Sequence, residues 1–387
     1  MAEAKLPFSR PSLSEAEIDE VVEVLRSGWL TSGPRVQRFE HDFADYVGSE
    51  HAVAVSSCTA ALHLALVAHG VGPGDEVVTS AMTWPATANA VELVGARPVF
   101  ADVDPDTLQI TRESIEAVAT PRTRALLPVH FAGQACDLDS LTQLARRDDL
   151  IVIEDAAHAA GTEYAGRRIG SGPGTACFSF HPAKNLTTAE GGMVTTADEA
   201  LAARVRRLRF HGVDRDASSR HVGASAIRYE TVEPGFKYNL TDLQAALGIH
   251  QLARLDGFIE RRAKLAMLYR DALRDSPFVK PLALDPHTTR HAWHLFVVLV
   301  DLERLRCDRD TFAARLGERG IATGLHFTAV HLHRYYRERY GYAPGALPHT
   351  EHAEARVLSL PLFPGMDEAD VARVCGAIRD VAQEVSR

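Results

Sequence analysis

Short apolar runs alternate with longer amphipathic or alanine-rich stretches through the first two-thirds of the chain. The runs are rich in Val, Ile, Leu and Ala without strict alternation, which is typical of strands covered on both faces. They predict strands at 51–55, 76–79, 97–100, 125–129, 150–154, 175–180 and 192–196.

Helical patterns fill the intervals between these runs. They predict helices at 59–69, 86–94, 112–119 and 138–146. The turn sequences Gly-Pro-Gly-Asp at 72–75 and Asp-Pro-Asp at 104–106 separate the units. Strands and helices in this order predict an α/β fold with a mostly parallel sheet and helices on both faces.

The regular alternation of strands and helices ends at a long helical pattern at 241–274, which contains Gly248 and Gly257. An α+β piece follows, with predicted strands and helices at 294–300, 308–319, 321–326 and 367–385. A chain of 387 residues is long enough for two domains. We therefore predict a large domain at 1–245, including an N-terminal arm, and a smaller C-terminal domain at 246–387.

Composition narrows the class of protein. The net charge of −9 argues against a general nucleic-acid binder. The five cysteines include no C-x-x-C pair, which argues against a disulfide framework and favours a reducing cytoplasm. The N-terminus lacks a signal-peptide pattern, and no uncharged stretch is long enough for a membrane span. We expect a cytoplasmic protein. The four arginines at 204–209 are read as a solvated helix face or an anion site.

Asp155 and Lys184 each follow a predicted buried strand. Ligands of open α/β sheets bind outside the carboxyl ends of the strands, so Asp155 is expected in that crevice, although it could also cap a helix. A lysine in a buried position tends to lose its proton, and a neutral amine can attack an aldehyde. The alternative for Lys184 is an ordinary surface lysine.

Two further motifs suggest what such a lysine would bind. Ser56, Ser57 and Thr59 stand where a strand ends and an alanine-rich helix begins, a place suited to phosphate, although Ser and Thr are also common caps. Trp84 begins the next helix and could stack on a flat ligand or lie in the core. A phosphate cradle, an aromatic plate, a carboxylate and a lysine together are the set of groups that binds pyridoxal 5′-phosphate (PLP).

The chain resembles the DegT/StrS family of fold-type I, PLP-dependent sugar aminotransferases over essentially its whole length. The matching stretches are SGWLTSGP at 27–34, SSCTAAL at 56–62, PVHFAG at 128–133, EDAAH at 154–158, FSFHPAKN at 178–185 and GFKYNLTDLQ at 235–244. Within the family, HAWHLF at 291–296 and TGLHF at 323–327 look most similar to the UDP-4-amino-4-deoxy-L-arabinose–oxoglutarate aminotransferase type.

The resemblance implies a role for each matching residue around the cofactor. Lys184 would carry PLP and shuttle protons, and Asp155 would bind the pyridine nitrogen. His158 would lie near the phenolic oxygen, and Trp84 would stack on the ring. The phosphate would be held by Thr59, Ala60 and Ser179.

The resemblance also implies a homodimer with shared sites, because Asn239 would reach the phosphate of the neighbouring subunit's cofactor. Lys237 and His326 are candidate substrate contacts. Many relatives have Gly where Cys58 stands, and a small side chain still fits a phosphate site formed by the backbone. The implied reaction moves the amino group of L-glutamate to the C4 carbonyl of a UDP- or dTDP-linked 4-keto sugar, a pentose or a 6-deoxyhexose, and releases 2-oxoglutarate.

Two alternatives of other classes remain open from the sequence. His326, His331 and His333 cluster within eight positions and could bind zinc in a metalloenzyme, or could form a polar segment near the substrate. A non-catalytic regulator could also use this fold. The favoured interpretation needs no metal.

Overall fold

The computed structural model describes residues 5–214 and 229–387. Its helices are α1 Glu15–Ser27, α2 Pro34–Val47, α3 Cys58–Ala68, α4 Pro85–Leu93, α5 Arg112–Glu116, α6 Leu138–Asp148, α7 Glu199–Leu208, α8 Asp242–Leu273, α9 Arg309–Glu318, α10 Arg334–Tyr340, α11 Pro348–Glu354 and α12 Glu368–Glu384. Its strands are β1 His51–Val55, β2 Glu76–Ser80, β3 Arg97–Ala101, β4 Thr123–Leu127, β5 Ile151–Asp155, β6 Glu163–Tyr164, β7 Arg167–Arg168, β8 Thr175–Ser179, β9 Gly192–Thr196, β10 Val279–Pro281, β11 Thr288–Arg290, β12 Phe296–Val300 and β13 Val357–Leu360.

A central sheet of seven strands in the order β1-β9-β8-β5-β4-β2-β3 confirms the predicted α/β architecture. The pairs β8–β5, β5–β4, β4–β2 and β2–β3 are parallel, whereas β9 runs antiparallel to both of its neighbours. Each strand of this sheet lies within two residues of its predicted position. The carboxyl ends of β2, β4, β5 and β8 therefore lie along one edge.

Helix α3 shows how the sequence positions the site at that edge. Ser57 caps the helix, because its Oγ accepts a hydrogen bond from the Ala60 N–H at 3.1 Å. Every side chain from Ala60 to Leu66 is buried, since the helix packs against the sheet and against α4 and α7. This burial fixes the first turn of α3 directly beyond the end of β1.

The C-terminal part contains an antiparallel sheet in the order β10-β12-β13. Strand β12 confirms the prediction at 294–300, but the strand predicted at 321–326 is wrong. That segment makes only isolated bridges, Ile321 to Leu6 and Gly324 to Ser359, because β13 occupies the position beside β12. The apolar run Val357–Leu360, which the sequence analysis did not assign, supplies that strand.

Helix α8 is continuous for 32 residues and contributes to two hydrophobic clusters. Its first half, including Ile249 and Leu255, packs with α2 and the central sheet, whereas Leu265 and Tyr269 pack with the C-terminal sheet and α12. The domain division after residue 245 stays a prediction.

Among the described residues, none of the helices combines the length and the apolar character that crossing a membrane requires.

Candidate active site

A cavity of about 450 Å³ opens at the carboxyl edge of the central sheet. It brings together most of the residues that the sequence singled out. Its lining includes Ser57, Cys58, Thr59, Thr83, Trp84, Thr87, Asp155, His158, Ser179, Lys184, Gly191, His294, His326 and Phe327.

Asp155 is the last residue of β5 and is only 5% exposed. Its Oδ2 accepts a hydrogen bond from Thr87 Oγ1 at 2.8 Å, and its Oδ1 accepts one from the Ala157 N–H at 3.1 Å. Burial raises the pKa of this carboxyl, and the two hydrogen bonds oppose that rise. The strand end thus presents a shielded carboxylate whose orientation is fixed by hydrogen bonds.

Lys184 lies in the loop after β8, with its side chain lining the same cavity. Its backbone N–H donates to the His181 carbonyl at 2.8 Å, which closes a tight turn. Burial of the amine lowers the pKa of Lys184 to about 8, although Cys58 and Asp155 act in the opposite direction. A substantial share of this amine is therefore neutral near pH 8, as nucleophilic attack on an aldehyde requires.

Histidines and a phenylalanine form one wall of the cavity. The His158 ring lies 4.3 Å from that of His294 and stacks on Phe327 at 5.9 Å. Burial and the nearby Lys184 hold the pKa of His158 and of His294 well below the ordinary value, and lower that of His326 to about 4. All three imidazoles are thus neutral at pH 7.

The start of α3 forms one end of the cavity, called here the phosphate-type end because its groups are suited to bind a phosphate. Ser57, Thr59 and Ser179 line it, and the N–H groups of a first helical turn have no partners within the helix. A Cβ added at Gly192 would lie 2.5 Å from the Ser57 carbonyl carbon, so only glycine lets β9 approach this turn. Ala60 is buried and is not in the lining, and its N–H donates to Ser57 Oγ.

Trp84 precedes the first residue of α4 and lines the cavity while remaining 66% exposed. The alternative of a core tryptophan is therefore wrong. Its ring lies 6.2 Å from that of Phe327, which also lines the cavity, so a flat ligand in the cavity would meet the indole.

Asn239 and Lys237 are not brought into the cavity lining. Asn239 Nδ2 donates to Ser32 Oγ at 2.7 Å, and its Oδ1 accepts from Lys237 Nζ. The backbone of Asn239 pairs with Val55 at the end of β1, two residues before Ser57. The asparagine thus lies near the phosphate-type end without lining it.

The histidines proposed for zinc point to separate partners. His326 Nδ1 contacts Ser359 Oγ at 2.9 Å, and His331 Nε2 contacts Glu351 Oε1 at 3.2 Å. Over 5–214 and 229–387, no three His, Cys, Asp or Glu side chains are arranged to hold a metal ion. The geometry does not support the zinc alternative.

Three of the four arginines at 204–209 form ion pairs within the chain. Arg204 and Arg207 bind Glu233, and the buried Arg209 binds Glu40 and the Ala54 carbonyl. Arg209 is therefore not on a solvated helix face, and carboxylates of this chain already neutralise much of the patch.

Some residues of the cavity escaped the sequence analysis. Thr83 and Thr87 were not singled out, and His294 and Phe327 were noticed only as parts of motifs. Thr87 follows Trp84 by three positions on the same helix start, so the helical period could have placed it beside the cavity. Nothing local to the sequence around His294 indicates that it packs on His158.

The donor set fits PLP, since the cavity combines a reactive lysine, a buried carboxylate, a flat aromatic face and an anion cradle. The fold and this site define a fold-type I, PLP-dependent transferase. The sequence profile of the DegT/DnrJ/EryC1/StrS aminotransferase family matches residues 11–379. The chain belongs to this family and is a PLP-dependent aminotransferase.

Solved structures of relatives superimpose over almost the whole chain. DesV of S. venezuelae is 38% identical with a TM-score of 0.89, and the match covers 99% of this chain and 100% of DesV. Spr1654 of Streptococcus pneumoniae, solved in its PLP form, is 32% identical with a TM-score of 0.91, and the match covers 99% and 100%. DesI, solved in the presence of its TDP-sugar product, is 33% identical with a TM-score of 0.87, and the match covers 98% and 93%.

Proposed function

We propose that this protein transfers the amino group of L-glutamate to the C4 carbonyl of a nucleotide-linked 4-keto sugar. The observation that carries the proposal is the Lys184 amine, whose pKa burial lowers to about 8 in the cavity that Asp155 and Trp84 also line. A neutral amine and a shielded carboxylate in one cavity suit the two steps of transamination, which are capture of an aldehyde and movement of a proton.

The residues of the cavity divide the work around the cofactor. PLP, when bound, supplies an electron sink for the charge left on the carbon that loses its proton. Asp155 would bind the pyridine nitrogen, Trp84 would cover the ring and His158 would meet the phenolic oxygen. Lys184 would hold the cofactor and would move a proton between Cα of the donor and C4′ of the cofactor. The wall formed by His158 and Phe327 would limit the access of water to that proton.

The phosphate end is proposed to be shared between two subunits. Thr59, the first turn of α3 at Ala60, and Ser179 bind the phosphate from one subunit, and Asn239 approaches it from the other. The position of Asn239 beside the end of β1, but outside the cavity lining of its own chain, supports this assignment.

The sugar is proposed to lie against the neutral histidine wall. Uncharged imidazoles both donate and accept hydrogen bonds, as sugar hydroxyls do, and His326 is the candidate contact at the cavity rim. Lys237 is the candidate cation for the diphosphate. The TDP-sugar product of DesI supports a nucleotide-linked substrate, and the motifs at 291–296 and 323–327 support amination at C4 of a pentose in the manner of the UDP-4-amino-4-deoxy-L-arabinose enzymes.

Replacing Lys184 tests the proposal directly. Lys184→Ala should lose both the visible absorbance of bound cofactor and the formation of 2-oxoglutarate from glutamate, because the amine that holds PLP is gone. Lys264→Ala, which removes an exposed lysine paired with Glu368, is the matched control and should keep both. Glutamate-dependent amination by Lys184→Ala would contradict the mechanism.

A substrate panel tests the sugar. UDP- and dTDP-linked 4-keto pentoses and 6-deoxyhexoses are incubated with glutamate, and the position and configuration of the new amine are determined by NMR. Turnover of at least one 4-keto sugar with nitrogen at C4 is expected. Amination at another carbon would refute the regiochemistry and leave the aminotransferase chemistry standing.

A further inference from the structure

The hydroxyls of Thr83 and Thr87 form a chain that ends on Asp155. The two threonines are four positions apart across the start of α4, and both are buried while lining the cavity behind Trp84. Thr83 Oγ1 lies 2.7 Å from Thr87 Oγ1, and Thr87 Oγ1 lies 2.8 Å from Asp155 Oδ2. Thr87 lies in the first turn of α4 and Thr83 lies two residues before the helix begins, so the start of α4 brings both hydroxyls to the carboxylate.

Counting protons fixes the direction of this chain. A threonine hydroxyl has a single proton to donate, and Thr87 donates it to Asp155. Thr83 must therefore be the donor to Thr87, so both O–H dipoles point toward the carboxylate. Hydrogen bonds aligned in this way polarise and strengthen one another.

The ionised form of Asp155 depends on neutral hydrogen-bond donors such as Thr87. Within the described part of the chain Asp155 forms no salt bridge, and its other donors are the Ala157 N–H at 3.1 Å and the Cys58 thiol, a weak donor, at 4.0 Å. Burial is the largest influence on the pKa of Asp155 and raises it, and the hydrogen bond from Thr87 is the largest opposing one. Without that bond, the buried group would take up a proton at higher pH.

We propose that Thr83 and Thr87 are positioning residues that orient Asp155 and hold it ionised for the cationic pyridine nitrogen of PLP. This inference rests on the proposed role of Asp155. Thr87 acts directly on the carboxylate, and Thr83 acts through Thr87. Neither threonine supplies a charge, so the negative charge of Asp155 remains available to the ligand.

The test measures PLP binding to the apoprotein as a function of pH, with Thr87→Val and Thr87→Ser. Thr87→Val keeps the shape but removes the donor to a charged group, and should weaken PLP binding by about 10- to 100-fold at neutral pH. The acid limit is the pH below which PLP binding is lost. Because the pKa of Asp155 rises, this acid limit should move up by about 1 to 2 units. Thr87→Ser restores the hydroxyl and should bind within about threefold of the wild type.

Two further variants separate positioning from general damage to the fold. Thr83→Val should shift the acid limit in the same direction by a smaller amount. Thr79→Val is the matched control, because Thr79 is equally buried and its hydroxyl donates to the Leu127 carbonyl at 2.7 Å instead of to Asp155. It should lower the thermal unfolding temperature of the apoprotein without moving the acid limit.

An unchanged acid limit in Thr87→Val overturns the inference, as does an equal shift in Thr79→Val. If Thr87→Val does not fold, an unchanged acid limit in Thr83→Val overturns it instead. Failure of the proposed function would look different, since wild-type protein would then show the same PLP binding as Asp155→Asn.

Discussion

The two residues at the centre of the site are perturbed in opposite senses by the same cause. Burial destabilises whichever form is charged, so it lowers the pKa of Lys184 to about 8 and raises that of Asp155. For the lysine this favours the form that reacts. For the aspartate, burial disfavours the ionised form, which is the form that binds a cation. Hydrogen bonds from Thr87 and Ala157 counter this effect of burial.

The lysine pKa predicts the pH dependence of cofactor capture. Only the neutral amine attacks the aldehyde, so below about pH 8 the rate of PLP uptake should fall about tenfold per pH unit, and above it the rate should level off. Stopped-flow absorbance of apoprotein mixed with PLP, from about pH 6 to about pH 10, measures this.

Lys264→Ala serves as the control for that profile and should give the same curve. A rate that keeps rising to the ordinary lysine pKa of about 10.4 would show that the amine is not shielded in solution.

The site could be predicted from the sequence only where a residue's position follows from its own element. Asp155, Lys184 and Trp84 come directly after strands or begin helices, so topology alone brings them to one edge of the sheet. Thr87 could have been added by the helical period. The contact between the His294 and His158 rings joins segments 136 positions apart, and no local pattern encodes such a contact.

Elements were predicted well where burial imposes one pattern, and less well elsewhere. The strands of the central sheet are covered on both faces and read as apolar runs. The segment at 321–326 has similar apolar character but finds single bridging partners, Leu6 and Ser359, instead of a neighbouring strand. Strand formation depends on the partner as much as on the sequence.

The two glycines inside α8 should respond in opposite ways to replacement by alanine. A Cβ at Gly248 would lie 2.7 Å from the buried Phe39 ring and 2.9 Å from Thr188 Cγ2, whereas nothing lies within 4 Å of one at Gly257. Overpacking costs about 1–3 kcal/mol, so Gly248→Ala should lower the free energy of unfolding. Gly257→Ala should raise it by about 0.5–1 kcal/mol, because alanine is the better helix former.

Each variant is the control for the other, since both replace glycine by alanine in the same helix. Thermal and urea unfolding of the apoproteins provide the measurement. Stabilisation by both substitutions would show that Phe39 and Thr188 move aside without cost.

At the scale of the whole molecule, net charge was a poor guide to the ligand. The chain carries −9, yet the proposed ligands are anions. The cavity meets them with the amine of Lys184 and the N–H groups at the start of α3, while Arg204, Arg207 and Arg209 pair with carboxylates of the chain itself. Local donors, not overall charge, decide what this protein binds.

The proposed sharing of sites between two subunits makes a prediction about mixed dimers. Lys184→Ala and Asn239→Asp, the latter placing a negative charge beside the phosphate, should each be inactive as homodimers. In a heterodimer of the two, one site combines an intact Lys184 with an intact Asn239 from the other subunit, so about half of the wild-type activity should return. Co-expression with two different affinity tags and tandem purification isolates that heterodimer.

The backbone pairing of Asn239 with Val55 of the same chain is the reason to test the opposite outcome. If Asn239 serves its own subunit, both sites of the heterodimer are defective and the purified species stays inactive.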